Sequence, residues 1–231
     1  MDASAYALAQ GMRATRTTLA AWRARPWPVL ARWLRSALAV AGLLLAAVLA
    51  IALLRGSSSW GTVDQPPFVA GGVGDVLLVL KSNLLVLALH AMACVAGFIA
   101  GSSLPLQASK HTGLTRTIHE RGRPIALAVV VGATGFSLTM QAFRIGSAAA
   151  DDAAALHISP ALLLLGLLPH ALPELVALFL PLAAWMVASR RGEWDGLLAA
   201  TFITVALAVP VLVAAAVWEV YGAPHVLSLV T

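Results

Sequence analysis

Charge is what this chain has least of. Aspartate, glutamate, lysine and arginine make up 11% of its 231 residues, against 60% hydrophobic, and the mean hydropathy is +0.88. About a quarter of an ordinary soluble domain is charged, so that class is excluded and an integral membrane protein remains. Cysteine is almost absent. Cys94 stands alone inside an apolar run, which rules out an internal disulfide and leaves the redox compartment open. Acidic residues number 10 against 15 basic ones, and the resulting pI near 10.3 would suit a nucleic-acid binder. The basic residues sit at the edges of apolar runs, however, where they anchor a chain in a bilayer, so no nucleic-acid partner is expected. Also missing are a glycine-rich phosphate loop, a nucleophile elbow, a paired-carboxylate hydrolase motif and the His-Glu-x-x-His pattern of zinc enzymes. The chain is therefore expected to be no enzyme, with no catalytic residue, metal site or cofactor.

What is present is oil in helix-length pieces. About 20 apolar residues of helix cross a hydrocarbon core of about 30 Å. Five runs qualify: Ser36 to Leu54; Ser82 onward, after a short lead "VLLVL"; Pro124 to Phe143, with proline placed to open a helix; a fourth ending near Ser189; and Leu197 to Trp218, with Pro210 inside. The predicted fold class is all-α, a polytopic membrane helix bundle of about five transmembrane helices with a proline-broken fourth helix. Residues 1–35 form a basic cytoplasmic arm with an interfacial segment, 36–54 the first crossing, and 75–224 a four-helix membrane domain. The first apolar run begins too late and is too long for a secretory signal.

Orientation follows from the flanks. Arg13, Arg16, Arg23, Arg25, Arg32 and Arg35 precede the first run; Lys110, Arg116, Arg121 and Arg123 lie between the second and third; Arg190 and Arg191 lie between the fourth and fifth. The opposite faces carry only Arg55, Lys81 and Arg144. The positive-inside rule then puts the N-terminus in the cytoplasm and the C-terminus outside, in the inner or plasma membrane. In the arm, "LAAWRARPWPVLARWLR" interleaves Trp22, Trp27 and Trp33 with arginines, a pattern suited to the headgroup level of a lipid bilayer. The second and fourth runs share a layout of apolar lead, polar interruption and full span, which predicts a tandem two-helix repeat with parallel topology.

The densest polar stretch in the oil is "LLPHALPELVALFL", Leu167 to Leu180. As one helix, Ile158 to Ser189 would run about 48 Å, longer than the hydrocarbon core. Pro169 and Pro173 each remove a backbone donor, so a break is expected there, leaving "SPALLLLGLL" as a re-entrant or interfacial lead-in. His170 and Glu174, four apart, would share a helix face. Counting depth at about 1.5 Å per residue places Lys81, Asn83, Gln141, Arg144, His170, Glu174 and Glu219 at one level, in the extracytoplasmic half. His90 lies about 10 Å deeper than Asn83 on the same heptad face. Ionisable groups in a membrane face the bundle interior or water and pair with one another. A polar cluster of Asn83, His90, His170, Glu174 and Glu219 is the candidate binding site. Snorkelling to headgroups explains Lys81 and Arg144 equally well, but short Glu174 and Glu219 cannot reach far. Cys94 falls on a small-residue face with Gly97 and Gly101, where close helix packing within the bundle or between protomers accounts for it.

These residues resemble the stage II sporulation protein M family of membrane proteins. "LLPHALPELVALFL" is similar to that family's His-Gly-x-x-Glu segment opening a helix. "SNLLVLALHAMACVAGFIAG" brings Asn83 and its glycines, and "AAVWEVYGAP" a Glu before a Tyr and a Pro. The likeness covers about Asp75 to Pro224, and departs where the family's glycine is Ala171 and where Pro173 precedes the glutamate. It implies a polytopic protein without catalysis of its own, a septal scaffold holding peptidoglycan-degrading partners in spore formers. It also marks Asn83, His170, Glu174 and Glu219 as functional. Two functions follow as expectations: a membrane scaffold recruiting envelope or peptidoglycan-remodelling proteins, and a transporter or the membrane subunit of one with an ABC-type transport partner. Homo-oligomerisation is expected with either.

Overall fold

The computed structural model describes residues 3–56, 71–103 and 112–227, which are helical nearly throughout and contain no strand. In chain order the helices are α1 (Ala3–Ala24), α2 (Pro26–Arg55), α3 (Val73–Phe98), α4 (Gly113–Ala155), α5 (Pro160–Arg191), α6 (Leu197–Tyr221) and α7 (Ala223–Leu227). A π-helical turn, Ile99–Ser103, continues α3, and a 3-10 turn, Trp194–Gly196, leads into α6. Five segments are long and apolar enough to cross a membrane, each of 28 to 32 residues. The expected all-α bundle with five candidate spans is what the structure shows.

The ends of these helices follow local chemistry. Pro26 lies in the first turn of α2, where a missing N–H costs nothing. Asp75 accepts from the N–H of Gly72 at 2.8 Å to start α3, and Ser159 Oγ accepts from the N–H of Leu162 at 3.2 Å to cap α5. Gly192 ends α5 in the left-handed region at φ 69°, and its N–H returns to the carbonyl of Ala188, a conformation that favours glycine.

The prolines do less than the sequence led one to expect. α5 is one helix through Pro169, Pro173 and Pro181, so the fourth span is not broken into a lead-in and a crossing segment. Likewise α4 starts at Gly113 and runs through Pro124, which does not open it. The expected break assumed that a helix must end at the hydrocarbon boundary. At about 42 to 48 Å these helices match core plus headgroup layers, about 40–45 Å, so α5 needs no interruption to fit. Each proline removes a single donor, which a helix can lose and still continue; Pro181 alone of the four is buried among neighbouring helices. The "KSN" stretch does not interrupt α3 either.

α5 is the centre of the bundle. Every residue from Ala177 to Trp185 is buried, and α2, α3, α4 and α6 all pack against this helix. α2 offers it a stripe at Ala37, Ala41, Leu44, Val48 and Ala52, the three-and-four spacing of one helix face. α4 is peripheral: its backbone approaches α2 where Gly146 meets Val48 and Ile51, and most of its apolar surface faces outward. The small-residue face of α3 is filled from within the chain. A Cβ on Gly97 would lie 2.7 Å from the Trp185 indole, and one on Gly101 would overlap Trp194. The arm also folds back, so that Trp22 of α1 meets Trp33 of α2 edge-on, with ring centroids 5.0 Å apart and planes at 82°. The first crossing helix accordingly begins ten residues before Ser36, at Pro26.

Candidate functional site

Asn83, His90 and Cys94 share one face of α3, at spacings of seven and four. Each reaches α5, and the contacts descend together. Asn83 Nδ2 donates to Glu174 Oε1 at 2.8 Å. His90 Nδ1 lies 3.0 Å from the carbonyl oxygen of Leu178, and Cys94 Sγ donates to the carbonyl of Pro181 at 3.0 Å. Because both numbers rise together, α3 and α5 run parallel, as the second and fourth spans of a chain that crosses back and forth do.

The two deeper bonds flank Pro181. A proline within a helix deprives the carbonyl four residues earlier of its donor and distorts the surrounding turn, opening nearby carbonyls to side chains from other helices. The carbonyl of Leu178, next to that of Ala177 which loses its donor, receives His90, and the carbonyl of Pro181 itself receives Cys94 as a second acceptor bond. A carbonyl only accepts, so His90 Nδ1 carries the proton and Nε2 is left as the lone-pair nitrogen. His90 is only 1% exposed, its ring is tilted against Phe179 at 5.2 Å, and Nε2 is buried without a hydrogen-bond partner.

The five residues expected to form one cluster are not equally joined. Asn83 and Glu174 meet directly, and Glu219, half-buried near the end of α6, is close enough for its charge to act on that of Glu174. His170 shares a helix face with Glu174, yet its Nδ1 is buried and makes no hydrogen bond. His90 belongs to the deeper level. Lys81 and Arg144 are exposed, and among the described residues neither pairs with a carboxylate of the cluster; the ion pairs are Arg55 with Asp151 at 4.0 Å and Arg191 with Glu193 at 3.7 Å. Gln141 donates to Ser137 of its own helix at 3.1 Å. Glu174 thus meets one amide directly and the second carboxyl, Glu219, only through its field.

Cys94 was assigned to packing alone by its small-residue neighbours. Its bond to Pro181 was signalled only by its place four residues after His90 on the Asn83 face. No group of three or more potential metal ligands occurs among the described residues.

Comparison with protein-family models, with curated proteins and with solved structures finds no match.

Proposed function

We propose that this chain is a scaffold of the cell envelope. It is a multi-pass protein of the inner or plasma membrane, N-terminus cytoplasmic and C-terminus outside, that recruits peptidoglycan-remodelling or other envelope proteins. The observation that carries the reading is the use of Asn83, His90 and Cys94 as successive fasteners between α3 and α5. Polar groups committed to helix-to-helix bonds suit a rigid platform better than a moving pathway. The resemblance to the stage II sporulation protein M family supports the same role, and the basic flanks support the orientation. Since Trp185 and Trp194 already occupy Gly97 and Gly101, self-association would use outward surfaces such as that of α4.

A second reading has one observation in its favour. Glu174 and Glu219 lie in each other's field with no cation paired to either among the described residues, an arrangement suited to taking up a proton or a cation. The chain would then be a transporter or the membrane subunit of a transport complex with an ABC-type partner.

One experiment separates them: cross-linking in native membranes, followed by purification in mild detergent, of the wild type and of a Glu174→Gln/Glu219→Gln variant. Scaffolding predicts the same envelope proteins attached to both. A monomer carrying no partner removes the scaffold. A partner ATPase whose turnover responds to the wild type but not to the variant establishes transport.

A further inference from the structure

The arm's end of the bundle, cytoplasmic in the orientation proposed above, holds two adjoining cavities that the polar clasp does not use. The first, about 320 Å³, lies between α1, the start of α2, and the turn joining α5 to α6; its walls include Trp22, Arg32, Trp33, Glu193 and Asp195. The second, about 250 Å³, is almost wholly apolar and is formed with Leu19, Leu30 and Ile203. Trp22, Val29 and Trp33 line both, so a polar chamber and an oily one share a wall of aromatic and aliphatic side chains.

The charges in the polar chamber are of both signs and incompletely matched. Arg32 makes no ion pair among the described residues, and its Nε is buried without a hydrogen-bond partner. Glu193 is engaged by Arg191 at 3.7 Å, and the exposed Asp195 has no cationic partner among the described residues. A buried guanidinium N–H left unmade is costly, and phosphate is the acceptor whose geometry fits it. An ammonium group beside that phosphate would meet Asp195 and the indole of Trp22.

We propose that this site binds a zwitterionic phospholipid of the cytoplasmic leaflet, with phosphate on Arg32, headgroup ammonium toward Asp195 and Trp22, and an acyl chain in the apolar groove. A diol headgroup such as that of phosphatidylglycerol satisfies Arg32 but leaves Asp195 without a counter-charge, so the site discriminates by the ammonium. The occupant ties α1 to the α5–α6 turn, which explains why an arginine- and tryptophan-rich arm folds back on the bundle. The inference is independent of scaffold or transport function.

The test uses the full chain in nanodiscs of equal parts phosphatidylethanolamine and phosphatidylglycerol, released into mild detergent, with retained lipid read by native mass spectrometry. Phosphatidylethanolamine should be retained about fivefold over phosphatidylglycerol, the ratio an ion pair of this exposure supplies, and Asp195→Asn should bring the ratio close to one. Arg32→Gln should lower retention of both lipids roughly tenfold, the value of a charge-assisted hydrogen bond. Asp195 is exposed, so its variant reads the site even if Arg32→Gln fails to fold. Equal retention of the two lipids by the wild type, or an unchanged ratio in Asp195→Asn, overturns the proposal. So does displacement of bound lipid by soluble phosphoethanolamine at equal concentration, since that would make the headgroup alone the ligand.

Discussion

Asn83 and Glu174, 91 positions apart in the chain, are joined by a 2.8 Å bond from the Asn83 amide to a Glu174 carboxylate oxygen, and this is the uppermost of the three ties between α3 and α5. The bond crosses between two parallel helices at a half-buried level, where water competes less than at a surface. Asn83→Ala should lower unfolding stability in mild detergent by about 1–2 kcal/mol. Glu174→Gln keeps an acceptor in place and removes a charge facing Glu219, so its loss should be smaller. A double-mutant cycle between the two positions, followed by circular dichroism on heating, measures the coupling. A coupling near zero would mean that the pair does not fasten the helices.

His90 supplies a sharper test because its two nitrogens have opposite tasks. Nδ1 donates to Leu178, whereas Nε2 has no partner. The amide nitrogen of asparagine sits where Nδ1 does, and that of glutamine where Nε2 does. His90→Asn should therefore retain the tie and lose about 1 kcal/mol less than His90→Gln. The reverse order in thermal unfolding would show that the hydrogen-bonding nitrogen has been misassigned.

Much of this was legible from spacing. Helix rise and bilayer thickness together place Asn83 and Glu174 at one depth, and the seven-residue step to His90 puts it on the same face one level down. The structure joins the first two and seats His90 as that count requires. Other features were not legible, some of them because they depend on neighbours distant in sequence. Pro169, Pro173 and Pro124 look like helix ends in isolation, yet each is exposed and the helix runs on through it, losing one backbone donor without ending. His170 looked like the natural companion of Glu174, but the carboxylate reaches across to α3 instead. The return of Trp22 onto Trp33 follows from a turn at Arg25 that no periodicity announces.

Cys94 is the sole cysteine and is fully buried, with its thiol committed to the Pro181 carbonyl. A thiol without access or thiolate character is inert. A membrane-permeant maleimide should leave folded protein unlabelled over hours and should label it stoichiometrically once dodecyl sulfate has unfolded it. Rapid labelling of the folded protein would mean that α3 and α5 separate at this level in the native bundle.

The glycines distinguish packing from simple flexibility. A Cβ at Gly101 would overlap Trp194, whereas one at Gly132, in the exposed face of α4, has nothing within 4 Å. Adding a methyl group to a filled interface costs about 1–3 kcal/mol, while glycine to alanine in an open helix interior gains up to about 1 kcal/mol from backbone entropy. Gly101→Ala should therefore unfold at lower temperature than the wild type, and Gly132→Ala at the same or a higher one. Equal behaviour of the two variants would remove Trp194 as the partner of the Gly101 face.

The orientation inferred from arginine and lysine can be read with the same thiol chemistry once Cys94 is replaced by alanine. Arg191 and Ala155 are both exposed, the last residues of α5 and α4, and lie a full span of α5 apart. In right-side-out vesicles an impermeant maleimide should label Ala155→Cys and leave Arg191→Cys untouched until the membrane is permeabilised. The expectation rests on the sequence, which puts twelve of the fifteen basic residues in the arm and in the segments that follow the second and fourth apolar runs, and short basic segments resist translocation. The opposite labelling pattern would put the arm and the cavity at Arg32 outside the cell. It would therefore place the phospholipid site in the outer leaflet of the membrane.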